Sequence, residues 1–291
     1  MKRTMKRTLI VFLLVNLMLS ACAPASAPMP TPAPSATPLP TATAVPTSTA
    51  TPTSTPTATP TATLTATFSP IRSTPMTIMM HPSTDAFDAV GFLREFILIL
   101  QENHIRVITY RNILEDPNIT VREKGKIAII TIDDVSIGSR NGLNRTVQEM
   151  IDLLCEANYP AVLGVVTQGE PNSTSVALLR DLLEKGWEIA THTDTHPNLG
   201  MLSPLEVSLE ITTSQDKIEY LFGHRPITLI LPYGQRLNNT TAVKNAGIVW
   251  MVGIGGGEMY NVNDGVYYVG RQGPAGTPLR TFEILMRRFN P

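Results

Sequence analysis

The sequence predicts an α/β fold built on a parallel sheet. Three observations carry that expectation. Short β-branched apolar runs alternate with segments of helical period from about residue 76 to the C-terminus. Two of those runs end directly in chemistry-bearing clusters: Ile127-Ala128-Ile129-Ile130-Thr131-Ile132 runs into Asp133-Asp134, and Trp187-Glu188-Ile189-Ala190-Thr191 into His192-Thr193-Asp194-Thr195-His196. Residues 22–75, by contrast, hold too few large apolar side chains to contribute to a core.

The chain opens with Lys2, Arg3, Lys6 and Arg7, an apolar stretch over residues 9–19, and then Ser20-Ala21-Cys22. A basic head, an apolar segment too short to span a bilayer comfortably and small residues before a cleavage point predict a secretory signal over residues 1–21. The small residues running into a cysteine resemble a bacterial lipobox. Cys22 is therefore the expected lipid attachment, and the mature protein is expected outside the cytoplasm, anchored to the cell membrane. Residues 22–75 are almost entirely Pro, Thr, Ala and Ser. They read as a solvated tether, with a polyproline reach on the order of 150 Å at about 3.1 Å per residue.

Residues 76–291 are one domain's worth of chain. A strand is expected at 77–80, followed by a helix whose apolar face is Val90, Leu93, Phe96, Ile97 and Leu100. Strands at 105–109, 126–132, 161–166 and 188–191 alternate with helices near 111–114, 143–158 and 176–185, the last stopped by Gly186. Ser203-Pro204 supplies an N-cap and a first-turn proline for a long helix reaching Leu221. Strands at 227–231, 249–254 and 266–269, with helices near 240–245 and 279–288, complete the alternation. The glycines from Gly253 to Gly257 read as a flexible rim.

Composition narrows the function. The chain has 23 basic and 24 acidic residues, and without the four leader cations about −5 of net charge remains. No basic block suggests nucleic acid, and no apolar run after the leader is long enough to span a bilayer. No obligate protein partner is implied. With Cys22 acylated, Cys155 has no disulfide partner, and its helical spacing from Met150, Ile151 and Leu154 makes it a small core side chain.

A carboxylate and two imidazoles at strand ends suit a first-row metal, and a spare carboxylate beside them suits a general base. Asp133, Asp134 and His192 all fall at the C-terminal ends of expected strands, where barrels of parallel strands carry their chemistry. The chain is expected to be a hydrolase.

These motifs resemble the NodB-like polysaccharide deacetylases, carbohydrate esterases that remove acetyl groups from glycans. Thr131-Ile132-Asp133-Asp134 is similar to their first motif, His192-Thr193-Asp194-Thr195-His196 to their His-x-x-x-His motif, and Leu231-Pro232-Tyr233-Gly234 to the end of their third. The resemblance implies a deformed (β/α) barrel of about seven units, of the NodB-homology type. It implies Asp134, His192 and His196 as ligands of a divalent metal, usually zinc, Asp133 as catalytic base, and the Tyr233 backbone N–H as oxyanion donor; Pro232 has no N–H to give. The implied substrate is an N-acetylated, or O-acetylated, cell-wall or extracellular polysaccharide.

The chain departs from the family pattern twice. The arginine that ordinarily precedes the third motif and steadies the base is replaced by Ile230, and no histidine follows His224 to protonate the leaving amine. A Tyr-Pro-Tyr-Gly subset acting on exopolysaccharides also lacks that arginine and opens with a Tyr-His pair, to which Met80-His81 is similar. His81 is thus an expected acid or substrate contact, and Arg271, after Val266-Tyr267-Tyr268-Val269-Gly270, an expected orienter of Asp133. The alternative reading is a catalytically impaired lipoprotein of the same fold that binds glycan.

Overall fold

The computed structural model describes residues 75–84, 86–237, 239–255, 259–263 and 265–289. The expected leader, the lipid attachment at Cys22 and the proline-rich tether lie outside the described residues. Among the described residues no helix is long and apolar enough to cross a membrane.

Along the chain run β1 (Met76–Met80), α1 (Ala89–Glu102), β2 (Arg106–Val107), α2 (Tyr110–Glu115), α3 (Ile119–Arg122), β3 (Ile127–Ser136), α4 (Arg145–Glu156), β4 (Val162–Val166) and α5 (Ser173–Glu184). They are followed by β5 (Glu188–Thr191), α6 (Pro204–Phe222), β6 (Thr228–Ile230), α7 (Thr241–Asn245), β7 (Trp250–Ile254), β8 (Met259–Asn263), β9 (Val266–Arg271) and α8 (Pro278–Phe289). Local chemistry sets the helix ends. Asp88, Asn144 and Asn172 cap α1, α4 and α5 through their side chains, and Ser203 and Glu206 form a reciprocal capping box at the start of α6.

Seven parallel strands follow one another in the order β1-β3-β4-β5-β6-β7-β9, with β8 antiparallel outside β9. The ring closes at a short seam between β9 and β1. There the Met79 N–H donates to the Gln272 carbonyl at 2.9 Å and the Gln272 N–H to the Thr77 carbonyl at 3.0 Å. The result is a seven-strand (β/α) barrel, deformed at this seam.

Two elements escape the sequence pattern. α3 is a single turn, too short to show a period, and β8 (Met-Tyr-Asn-Val-Asn) lacks an apolar run. β8 pairs with β9 instead through a turn at Gly265, whose φ of 92° favours glycine. Gly253, expected in a flexible rim, lies inside β7, and a side chain there would collide with the Tyr268 ring and hydroxyl.

Alternation along the strands sorts the core. Ala128, Ile130 and Ile132 of β3 pack outward with Phe92, Phe96, Val147 and Met150 of α1 and α4. Ile127 and Ile129 pack in the barrel interior with Val162, Ala190, Ile230, Trp250, Val252, Tyr267 and Val269. Each Val, Ile, Met or Phe side chain among them contributes about 1.5–3 kcal/mol on burial. The period of two carries the inward face of β3 on to Thr131 and Asp133, that of β5 to His192, and that of β9 to Arg271. The interior is therefore apolar in its middle and polar at the C-terminal ends of its strands.

Its other end holds one acid. Glu188 is buried, accepting the Thr228 hydroxyl at 2.5 Å and the Arg111 N–H at 2.9 Å. Burial pushes its carboxyl above the usual range against the pull of those hydrogen bonds. The folded state then holds a proton that the unfolded chain releases, so stability is lost as pH rises from about 4.3 through the folded value. Glu188→Gln can keep both contacts without the charge. Calorimetry should show a gain of about 1 kcal/mol, roughly 2–4 °C in melting temperature, at pH 8 that shrinks toward zero at pH 4. An equal gain at both pH values would refute the assignment.

Candidate metal and catalytic centre

The centre starts from an irregularity in β3. Thr131 and Ile132 pair with Val162 and Leu163, but Val135 pairs with Val165, so Asp133 and Asp134 together face Gly164. This two-against-one bulge corrects the expectation that the acids end the strand: β3 continues to Ser136 beyond them. In a regular strand neighbouring side chains point to opposite faces. Here Asp134 takes a left-handed backbone (φ 58°), and both carboxylates serve one site. Gly164 faces them; a Cβ there would crowd Ile230 Cδ1 at 3.2 Å and meet the Asp133 Cα and the His192 Cβ in ordinary contact at 3.5 Å.

Asp134, His192 and His196 converge. The Asp134 Oδ1 lies 3.4 Å from His192 Nε2 and 3.2 Å from His196 Nε2, and the two Nε2 atoms lie 3.2 Å apart. Tetrahedral zinc with ligands at about 2.05 Å would separate its donors by about 3.3 Å. His192 Nδ1 donates to the Ile230 carbonyl at 2.8 Å, which turns its Nε2 lone pair toward the other two donors. Donor lone pairs converging at this spacing call for a cation, so the residues fit a divalent metal. Side-chain exposure rises from 1% at His192 to 25% at His196 and 40% at Asp134, so the triangle opens to solvent on the Asp134 side. The crowding imidazoles of His192, His196 and His81 outweigh partial burial and hold the Asp134 carboxyl well below its usual range.

Asp133 stands beside this triangle and is 1% exposed. Arg271, wholly buried, grips it with a two-pronged pair: Nη1 to Oδ1 at 2.5 Å and Nη2 to Oδ2 at 2.8 Å. The guanidinium is itself aimed by the Thr131 hydroxyl (2.6 Å) and the Gly253 carbonyl (3.2 Å). Burial alone would raise the Asp133 carboxyl; the charge and hydrogen bonds of Arg271, with His192 and His81, hold it below the ordinary range. Ile230, where the resemblance calls for an arginine, is buried in the apolar interior, so a guanidinium from β9 reaches Asp133 from the other side of the ring.

His81 follows β1 and sits over both acids, its Nδ1 3.0 Å from Asp134 Oδ2 and its Nε2 3.6 Å from Asp133 Oδ2. Burial lowers its pKa, but the hydrogen bond to Asp134 and the two carboxylate charges raise it above its usual value. Tyr233 occupies the turn after β6 with φ 58°, and its backbone N–H donates to no described residue. Its ring is exposed and lies 5.0 Å from that of His196. Of the six described non-glycine residues with left-handed backbone, Asp134, Thr193, His196 and Tyr233 belong to this centre. Each costs on the order of 1–3 kcal/mol, most acutely the β-branched Thr193 at φ 69°.

The structure thus gathers Asp133, Asp134, His192, His196, His81, Tyr233 and Arg271 at one end of the barrel. Three contributors were not expected: the Ile230 carbonyl, the Thr131 hydroxyl and Gly164. A backbone carbonyl has no sequence signal, whereas Thr131 was readable as the inward neighbour of Asp133 at a period of two.

Residues 120–250 match the family model described as polysaccharide deacetylase. This span contains Asp134, His192 and His196, with Asp133 and Tyr233, but neither His81 nor Arg271. The chain is 34% identical over 119 residues to the peptidoglycan-N-acetylmuramic acid deacetylase PdaC of Bacillus subtilis (strain 168), covering 40% of this chain and 23% of that one. It is 31% identical over 90 residues to the chitooligosaccharide deacetylase of Bradyrhizobium sp. (strain ANU 289), covering 30% and 39%. The chain therefore spans well under half the length of these curated relatives. Among solved structures, the Streptococcus pyogenes deacetylase PplD in complex with acetate shares the fold at a TM-score of 0.59 and 16% identity, over 75% of this chain and 98% of that one. Motifs, barrel and family match agree that residues 120–250 are similar to a polysaccharide deacetylase domain of the NodB-like type.

Proposed function

We propose that this chain is a metal-dependent hydrolase that removes N-acetyl, or O-acetyl, groups from a cell-wall or extracellular polysaccharide. The observation that carries the proposal is the buried, arginine-gripped Asp133 standing beside the Asp134–His192–His196 triangle. A divalent cation held by those three residues, with zinc the expected ion, would supply Lewis acidity toward water and the acetyl oxygen. Asp133, kept anionic by Arg271, takes the proton from the attacking water. The Tyr233 N–H donates to the carbonyl oxygen as it gains negative charge. His81, at the solvent side of the two acids, hands a proton to the departing amine. A glycan-binding protein without turnover has no need of a base, so the Asp133–Arg271 pair favours catalysis over binding alone.

The names of the two relatives support an N-acetylated amino-sugar glycan as substrate class. The leader and lipobox-like residues support export and attachment through Cys22, with residues 22–75 letting the domain work away from the membrane.

Acetate release from peptidoglycan, chitin oligomers, poly-N-acetylglucosamine and acetylated xylan, with and without a chelator, tests the proposal. Release from at least one amino-sugar glycan, abolished by chelation and restored by zinc, is expected. Release that survives chelation would overturn the metal-dependent reading. His81→Ala should lower turnover about 100-fold while zinc stoichiometry stays at that of the parent; unchanged turnover removes His81 from the mechanism.

A further inference from the structure

We infer that Glu210 of α6 is a positioning residue for the metal ligands, holding the loop from His192 to His196 in its metal-ready form before any cation arrives. This rests on the reading of Asp134, His192 and His196 as ligands, and it concerns what keeps two of them in place.

The loop is short and strained, with Thr193 at φ 69° and His196 at φ 60°. Such conformations persist only where the surroundings over-determine them. Part of the restraint is internal: the Thr193 hydroxyl accepts the His196 N–H at 3.0 Å, and the Thr191 hydroxyl accepts the Thr193 N–H at 3.1 Å. The rest comes from α6. Glu210 Oε2 accepts the N–H groups of Asp194 (3.0 Å) and Thr195 (2.9 Å), and its Oε1 accepts the Thr195 hydroxyl at 2.6 Å. One turn further on, the Ser214 hydroxyl accepts that of Thr191 at 2.8 Å. Near the next turn, Lys217 Nζ donates to Asp194 Oδ1 at 2.7 Å, an oxygen that the Thr167 hydroxyl also reaches at 2.7 Å.

Positions 210, 214 and 217 are spaced four and three apart, so they form one stripe of α6. The stripe bonds Asp194 and Thr195 directly, and holds Thr191, whose hydroxyl in turn accepts the Thr193 N–H. Glu210 carries the largest share, because a carboxylate accepting two successive N–H groups and a hydroxyl makes charge-assisted hydrogen bonds. Successive backbone N–H groups pointing one way form an anion-binding concavity; here the anion is the protein's own. Without it, the Thr195 N–H turns to water, the Asp194 N–H keeps only the Glu210 main-chain carbonyl at 3.2 Å, and the two imidazoles lose part of what fixes their separation. The ordering would then have to occur on metal binding, at the expense of affinity.

The test is zinc affinity of the full-length chain, measured by competition with a chromophoric chelator, with near-ultraviolet circular dichroism of the metal-free protein as a check on folding. Glu210→Ala is expected to bind zinc about 10–100-fold more weakly than the parent, in the range that loss of outer partners of metal ligands produces. Glu210→Gln, which keeps one carbonyl acceptor, should fall between the two. Zinc affinities of both variants within twofold of the parent would overturn the inference. Should Glu210→Ala not fold, Glu210→Gln and Thr195→Val decide, since each removes part of the same clamp: weakening by several-fold supports it, and parental affinity in both overturns it. A parent chain that binds no zinc would overturn the ligand reading itself, which is a different failure from a parent that binds tightly and variants that match it.

Discussion

Asp133→Asn is expected to cut acetate release about 1,000-fold while the variant still takes up zinc to the parental stoichiometry. The separation follows from geometry. Asp133 lies outside the triangle formed by Asp134, His192 and His196, so an amide there leaves the donor set whole. Asparagine keeps the volume of aspartate and one acceptor for Arg271, but it takes no proton from water. An acetate assay on metal-loaded enzyme, with zinc content measured on the same samples, gives both readouts. Turnover within tenfold of the parent would remove Asp133 as the base; loss of zinc would place it among the ligands.

Arg271→Met should cost about 3–5 kcal/mol of stability, roughly 10 °C in melting temperature for a domain of this size. The cost is not the strength of the ion pair itself. It arises because the partner, Asp133, stays buried without its cation. The same substitution made on Asp133→Asn should therefore cost much less, and the two effects should be non-additive by more than 1 kcal/mol in a double-mutant cycle. Arg271→Lys restores charge without the fork that meets both carboxylate oxygens, so it should recover part of the stability and little of the turnover. Denaturant or thermal unfolding of the four proteins in the cycle checks the first claim and acetate release the second. Additive losses would mean that the pair is not coupled.

Much of this centre was legible before any fold was known. The Asp133-Asp134 and His192-to-His196 clusters stood at the ends of β-branched runs, and Arg271 followed a late strand as the expected partner of Asp133. The departures were legible too: Ile230 could not steady an acid, and no histidine followed His224. Less accessible was how neighbouring acids share one site. The bulge opposite Gly164 depends on the register between β3 and β4, and no run of residues in either strand announces it.

By itself, then, the sequence determined the alternation of strand and helix, the order of the motifs and the chemical types gathered in them, because these depend on side-chain identity and on periods of two and 3.6. The tertiary structure alone decided the partners. It brought Arg271 across 138 residues to Asp133, turned the Ile230 carbonyl to His192, and laid one stripe of α6 along the histidine loop. Ring closure between β1 and β9 sets those distances, and closure is a property of all seven strands together rather than of any segment that contributes to it.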